Sequence, residues 1–220
     1  MELKQVFDFE VLKENYGMFD VMITNTKKDD MIELPLLFNE ALQLMKTEKS
    51  SDYLIMNNGD FLEETSLKKI IRHNDLYFRP PFVANCVYDI RLGRNNTTRL
   101  EYELFSRNYF YCVKGKCRFK LIPPKFTKYL DKKTDYEKMK YWSPIDVWHT
   151  QDKYQINIMK SKILEIELNE GTILYIPPYW WYSIQYEDET AILNTFQYST
   201  YMSEVSILPQ YVISFLQKSN

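Results

Sequence analysis

The 220-residue chain is poor in the residues that build metal and disulfide sites. It has two histidines, three cysteines and five glycines. So few histidines exclude a histidine-rich metal centre. The cysteines, Cys86, Cys112 and Cys117, lack zinc-like spacing, so we expect reduced thiols in a reducing compartment. If Cys112 and Cys117 share a strand, their odd spacing puts them on opposite faces, which disfavours a disulfide between them.

The sequence also lacks an excess of either charge and any long apolar run. Lys and Arg number 28 against 30 Asp and Glu, so we expect no nucleic-acid partner. No apolar run approaches the ~20 residues that cross a bilayer, and the charged start MELKQVFDFEVLKENYG is unlike a secretory signal. We predict a soluble, intracellular, cytoplasmic protein with no membrane partner. Abundant Lys, Asn, Tyr and Ile suggest an AT-rich genome, as in large DNA viruses and some protists, so a virus-associated protein is one of two expectations.

Hydrophobic residues are plentiful, at 45% of the chain with 16% aromatics, which suits one domain with a large core. From residue 84 onward, short segments rich in β-branched and aromatic residues alternate in polarity between turn signals. Many strands without intervening helices are typical of an antiparallel sandwich or barrel. Outside that region, periodicity and composition predict strands at 19–24 and 53–56 and helices at 35–47, 61–72 and about 203–217.

Three segments of the β-rich region follow one another in a characteristic order. The first runs from Asp89-Ile90-Arg91-Leu92-Gly93 to Glu103, the second from Asn108 to Pro124, and the third from Leu168 to Tyr182. Together they resemble the JmjC and cupin-like family of iron(II)/2-oxoglutarate-dependent oxygenases, especially its asparaginyl hydroxylases. The most specific match is GTILYIPPYWW, and the resemblance covers roughly residues 17 to 200.

The resemblance implies a fold that is mainly β with flanking α: a double-stranded β-helix, or jelly roll. We expect a single JmjC/cupin-like domain over 1–220. Its jelly-roll core would occupy about 84–200. An N-terminal α/β segment would occupy 1–83, and a C-terminal helix about 203–217.

The resemblance also implies a site. The family holds iron with two histidines and a carboxylate, which leave open positions for 2-oxoglutarate and oxygen. Glu101 falls at the first histidine, Glu103 at the carboxylate and Tyr182 at the second histidine. Thr98 matches the family's threonine, and Cys117 falls at the lysine that anchors 2-oxoglutarate. Thr98 and Cys117 are therefore the candidate cofactor-binding positions.

The departures from the family pattern predict a catalytically inactive protein that binds or scaffolds, with no cofactor. Carboxylates and phenols favour ions harder than iron(II), and a phenol is a poor ligand at neutral pH. Two alternatives stay open. One is a hydroxylase using iron(II), or another divalent cation, and 2-oxoglutarate through these atypical ligands. The other is a cupin that binds a small ligand, such as a sugar or an acid.

The remaining features support weaker interpretations. His73-Asn74-Asp75 and His149 match the sequence pattern of a displaced metal triad, but surface histidines are the ordinary explanation. Trp180 and Trp181 are expected to pack, one in the core and one near the pocket mouth. The C-terminal helix presents Val205, Leu208, Val212 and Phe215 on one face. That face would either pack on its own barrel or form a homodimer, so the expected partner is another protein or a second copy.

Overall fold

The computed structural model describes residues 3–26, 32–47, 53–105, 107–187 and 190–218. The helices are α1 Leu3–Val6, α2 Phe9–Tyr16, α3 Phe38–Leu44, α4 Gly59–Glu64, α5 Leu67–His73, α6 Gln155–Met159, α7 Tyr201–Ser206 and α8 Leu208–Lys218. The strands are β1 Asp20–Asn25, β2 Glu33–Leu37, β3 Tyr53–Ile55, β4 Val83–Gly93, β5 Asn96–Thr97, β6 Leu100–Tyr102, β7 Arg107–Lys114, β8 Lys116–Ile122, β9 Lys133–Asp135, β10 Lys140–Ser143, β11 Leu164–Asn169, β12 Ile173–Ile176, β13 Trp181–Tyr186 and β14 Ala191–Thr200.

These strands form two antiparallel sheets that face each other. The first has the order β12-β7-β14-β4-β3-β1-β2, and the second has the order β11-β8-β13-β6-β10-β9 with β5 beside β13. The predicted mainly-β jelly roll is confirmed. Among the described residues, no helix is long and apolar enough to cross a membrane.

Helices α1 to α5 cover the outer face of the first sheet. On β4, Tyr88, Ile90 and Leu92 point outward and are buried in the cluster that these helices complete. Because side chains alternate along a strand, Asp89 and Arg91 point into the interior between the sheets. Both faces of this central strand are therefore buried, and the interior face carries charge.

Strands β7 and β8 belong to different sheets, and Gly115 links them with a φ of +75°. Cys112 and Cys117 therefore do not share a strand, and the condition under which their side chains would lie on opposite faces is not met. Both side chains instead point into the same apolar cluster between the sheets. Together with Cys86 they are free thiols.

The helix predicted over 35–47 begins later than expected. Its first residues belong to β2, where Pro35 lies opposite Met22 of β1, and α3 starts at Phe38. β2 is the last strand of its sheet, so one edge needs no hydrogen bonds and a proline is tolerated there.

Two other predicted helices are interrupted. The 61–72 prediction corresponds to α4 and α5, which are separated at Ser66, a residue with a φ of 60°. The 203–217 prediction corresponds to α7 and α8, which are separated at Ile207. Pro209 follows that break and has no N–H to continue the preceding helix.

Candidate functional site

The three predicted metal positions come together inside the jelly roll. β6 carries Glu101 opposite Tyr182 of β13, and Glu103 follows β6 on the same face as Glu101 because side chains alternate. The Tyr182 hydroxyl donates to Glu103 Oε1 at 2.7 Å and lies 3.4 Å from Glu101 Oε1.

A guanidinium group lies among these oxygens. Arg91 Nη2 is 3.6 Å from Glu103 Oε1, and Arg91 Nη1 is 4.0 Å from Glu101 Oε1. The Arg91 side chain is 5% exposed and its carbon Cζ lies over the Phe110 ring, 5.4 Å from the centroid. The protein therefore supplies a positive charge of its own between the two carboxylates.

Asp89, on the same strand, compensates the positive charge of Arg91. Its Oδ2 lies 3.4 Å from Arg91 Nε. The Asp89 carboxylate also accepts hydrogen bonds from the backbone N–H groups of Asn57, Asn58 and Ile90, at 3.0, 2.7 and 2.9 Å. These bonds hold the carboxylate in place and tie the loop after β3 to the site.

Glu103 has two further partners. Its Oε2 accepts from the side-chain amide of Asn108 on β7, at 3.2 Å, and from that of Gln197 on β14. Counting Tyr182 and Arg91, this carboxylate is contacted from four strands, so it is a fixed structural centre of the site.

Burial sets the protonation of the cluster. It raises the pKa of Glu103 and of Asp89 above the usual carboxyl range, although the Arg91 charge opposes the rise in both. Burial, reinforced by the Glu103 charge, also raises the pKa of Tyr182 well above its usual value. The phenol therefore keeps its proton at neutral pH and acts as a donor.

Burial by itself would lower the pKa of Arg91, but the surrounding acidic and phenolic oxygens outweigh that effect and raise it well above its usual value. The guanidinium therefore stays charged. The site has a permanent cation.

These residues do not fit a ferrous ion. The family's iron site uses two imidazoles and one carboxylate, whereas here a protonated phenol and two carboxylates surround a guanidinium. Among the described residues, no group of three His, Cys, Asp or Glu side chains is placed to hold a metal ion.

A small cavity of about 90 Å³ adjoins the cluster. Arg91, Arg99, Glu101 and Glu103 form its polar wall, while the remaining lining residues are Met56, Asn57, Tyr102, Met139, Lys140 and Tyr141. Its volume is well below the ~300 Å³ at the lower end of sites for drug-sized ligands.

The two predicted cofactor positions do not line this cavity. The Thr98 hydroxyl accepts from the backbone N–H of Ile184 at 2.8 Å. Cys117 is buried in the apolar cluster, and its neighbour Lys116 points outward to Glu187, 2.8 Å away. A role for Thr98 or Cys117 in holding a cofactor stays a prediction.

The residues of the displaced-triad alternative lie apart from the site. His73 ends α5 and is exposed, as is His149. Asp75 is buried in a separate cluster, where it accepts from Arg79 at 2.8 Å and from Tyr198 at 3.0 Å.

One of the paired tryptophans lies in the core, as expected, while a place near the pocket mouth for the other stays a prediction. Trp181 is fully buried, and its indole N–H donates to the Thr127 hydroxyl at 2.8 Å. Trp180 is partly buried against the apolar cluster.

Comparison with known proteins identifies the family of this chain. A family model described as a cupin-like domain matches residues 13–203. The chain belongs to the cupin-like domain family. Among curated proteins, this cupin-like chain is similar to HSPB1-associated protein 1 of rat and mouse, 27% identical over 86 residues, and of cow, 26% identical over 102 residues.

Those alignments are partial. The rat and mouse matches cover 39% of the cupin-like chain and 18% of each relative, and the bovine match covers 46% and 21%. The chain thus spans about a fifth of the curated relatives it matches. This similarity agrees with the cupin-like fold and assigns no activity.

Sequence reasoning missed Arg91, Asn108 and Gln197. A signal for Arg91 was present: in the strand around Asp89, every second residue is apolar, and the N-terminal helices need an apolar face to pack against. That alternation puts Asp89 and Arg91 on one face of the strand, but it does not say which face lies inside.

Proposed function

We propose that this cupin-like protein acts by binding, without iron and without oxidising a substrate. In this proposal Glu101, Glu103 and Tyr182 stand where JmjC oxygenases, including the asparaginyl hydroxylases, hold their metal. Arg91 supplies the positive charge that the metal supplies in those enzymes. The observation that carries the proposal is the guanidinium within 4.0 Å of both glutamates.

Electrostatic repulsion from Arg91 disfavours a divalent ion beside Glu101 and Glu103. A unit positive charge about 4 Å from a dication is repelled by about 8 kcal/mol at an effective dielectric of ~20. Arg91 and Arg99 already pair with Glu101 and Glu103, so part of the attraction of the two carboxylates for a cation is offset. A metal would have to displace a guanidinium that Asp89 and Phe110 hold in place.

Anaerobic titration with Fe²⁺, and with Mn²⁺ as a redox-stable probe, tests this proposal. The wild type should bind neither ion at the cluster. The triple variant Glu101→His, Glu103→Asp, Tyr182→His restores the family ligands but keeps Arg91, so it should bind weakly. Adding Arg91→Leu should raise its affinity by orders of magnitude. Stoichiometric iron binding by the wild type, or succinate formed from 2-oxoglutarate, would overturn the proposal in favour of an active hydroxylase.

The proposed partner is a second copy, bound through the C-terminal helices. Leu208, Val212 and Phe215 of α8 are 53%, 58% and 71% exposed, and Val205 of α7 is 59% exposed. A helix with this much exposed apolar surface is typical of an interaction site. The curated relatives are themselves named for association with a protein, HSPB1.

Sedimentation equilibrium tests the partner proposal. The wild type should be a dimer at micromolar concentration, and Val212→Glu with Phe215→Glu should make it monomeric without unfolding it. Tyr77→Glu is the matched control, because Tyr77 is 95% exposed and belongs to neither helix. A monomeric wild type would contradict self-association, and dissociation by the control would contradict its assignment to these helices.

A further inference from the structure

The second sheet is covered on its outer face by two short segments. The residues on either side of Glu101 in β6 point away from the interior, because side chains alternate, and they belong to an apolar cluster outside this sheet. The 3₁₀ helix Pro124–Tyr129 and helix α6 contribute partly buried side chains, Phe126 and Ile158, to the same cluster. The two segments therefore share one side of the molecule.

A carboxylate joins these segments. The hydroxyl of Tyr154, just before α6, donates to Asp131 Oδ2 at 2.9 Å. Lys133 Nζ lies 3.1 Å from Oδ1 of the same carboxylate. The chain that follows the 3₁₀ helix thus contacts the chain that enters α6. We call residues 123–140 together with 151–162 the basic region.

Positive charge is concentrated in the basic region. It holds nine lysines and four acidic residues, whereas the whole chain has 28 Lys and Arg against 30 Asp and Glu. The three lysines that flank α6, Lys153, Lys160 and Lys162, are exposed. Within the part of the chain that the structure describes, these three form no ion pair. Helix α6 is therefore surrounded by uncompensated positive charge, although the chain as a whole is slightly acidic.

Helix α6 directs apolar side chains both inward and outward. Ile158 packs inward on the cluster, whereas Ile156 and Met159 are 65% and 84% exposed. Because they are three residues apart, Ile156 and Met159 lie on the same side of the helix, and Lys160 follows directly. Side chains this exposed project from the surface and do not line a cleft.

The chemistry of this surface fits lipid better than protein. A stable protein interface buries about 800 Å² on each partner and is depleted in lysine, whereas here two apolar side chains lie among lysines. A bilayer requires no matching area of that size. Each apolar side chain can enter the boundary between headgroups and acyl chains by itself, while the lysines contact anionic headgroups.

We propose that α6 and the lysines of the basic region bind the surface of a membrane that contains anionic lipids. Ile156 and Met159 enter the headgroup boundary, and the three lysines that flank α6 bind the headgroups. The expectation of no membrane partner came from the lack of a long apolar run in the sequence, and contact of this kind needs none. The proposal does not depend on the charged cluster inside the jelly roll.

Co-sedimentation of the full chain with lipid vesicles tests this proposal. The wild type should bind vesicles of phosphatidylcholine with about 30% phosphatidylserine and not vesicles of phosphatidylcholine alone, and molar salt should release it. Met159→Ser should lower the partition coefficient roughly fivefold by removing the inserted side chain. Lys160→Ala should also lower it roughly fivefold.

The matched controls are Met18→Ser and Lys13→Ala, at or beside α2 on the side of the first sheet. Met18 is 77% exposed and Lys13 is exposed, so neither control should change the partition coefficient. Circular dichroism should show that all four variants fold like the wild type, because the substituted side chains are exposed.

Three outcomes would overturn the proposal. The first is that the wild type does not bind the anionic vesicles, or binds both kinds equally. The second is an equal loss of binding in Met159→Ser and Met18→Ser, which would place the contact elsewhere. The third is a loss in Lys160→Ala with none in Met159→Ser. That result would mean a purely electrostatic contact, as expected for a surface that binds an acidic protein.

Discussion

The interior of the jelly roll has two halves that are stabilised in different ways. In one, apolar side chains such as Phe110 and Phe119 pack with ring centroids 5.1 Å apart. In the other, Arg91, Glu101 and Glu103 compensate one another's charge. Each side chain of the apolar half adds its own burial, whereas each charged member depends on the others. The charged half can be lost through one substitution that leaves its partners buried and unpaired.

Arg91→Met should give the largest effect. It removes the guanidinium and leaves the buried carboxylates of Asp89 and Glu103 without a counter-charge, while Glu101 keeps Arg99, so the free energy of unfolding should fall by about 3–5 kcal/mol at neutral pH. Lowering the pH should reduce that loss, because the carboxylates then take up protons. Urea unfolding followed by circular dichroism at several pH values measures it.

The matched variant in the apolar half is Phe119→Ala, expected to cost about 3–5 kcal/mol through a cavity. That loss should not vary with pH. If the two variants respond alike to pH, the distinction between the halves is wrong.

Tyr182→Phe should lower the free energy of unfolding less than Arg91→Met or Phe119→Ala. It removes the hydroxyl that donates to Glu103 at 2.7 Å, and we expect a loss of about 1–3 kcal/mol in unfolding free energy. Tyr186→Phe is the matched control on the same strand, since the buried Tyr186 hydroxyl has no hydrogen-bond partner. Its removal should be neutral or slightly stabilising. Equal losses for the two would show that the Tyr182 bond contributes nothing.

Glu103→Gln should change the pH dependence of stability. The pKa of Glu103 is raised by burial in the folded protein, so the folded state binds the proton more tightly than the unfolded chain. The contribution of Glu103 to the free energy of unfolding is fully present below the usual glutamate pKa. It is lost as pH rises through the raised pKa, with a slope of at most about 1.4 kcal/mol per pH unit.

As pH rises through the acid range, the contribution of Glu103 lowers the free energy of unfolding of the wild type. Glu103→Gln should lack this pH-dependent loss. Glu165→Gln, at a position with a side chain 46% exposed, should keep the wild-type slope. An unchanged slope in Glu103→Gln would contradict the raised pKa.

Lys116→Ala should have the smallest effect. Lys116 is the neighbour of the predicted anchor position, but its amine lies outside the interior, 2.8 Å from Glu187 with half of the side chain exposed. An exposed ion pair of this kind contributes under about 1 kcal/mol, and molar salt should remove the difference. A larger, salt-independent loss in thermal or urea unfolding would place Lys116 in the interior cluster.

Much of this architecture was predictable because alternation and turn residues specify strands locally. GTILYIPPYWW placed Tyr182, and the two-residue spacing of Glu101 and Glu103 put both on one face. Helix boundaries were less predictable. Pro35 begins a helix as readily as it sits in an edge strand, and only pairing with β1 decides between them.

The role of Arg91 could not be derived from local pattern alone. Both faces of β4 are buried, one under helices and one inside the jelly roll, so alternation does not say which face is interior. The contacts of Gln197 and Asn108 with Glu103 join residues 94 and 5 positions apart. Their convergence depends on the order of strands in the sheets, which no single segment encodes.

The central claim is that the Arg91 guanidinium is the cation that holds the two glutamates together. A double-mutant cycle on unfolding free energy tests it most directly, combining Arg91→Met with the paired change Glu101→Gln and Glu103→Gln. The account predicts a coupling of about 2 kcal/mol or more, with the combined variant more stable than Arg91→Met alone. Additive losses, within about 0.5 kcal/mol, would contradict it.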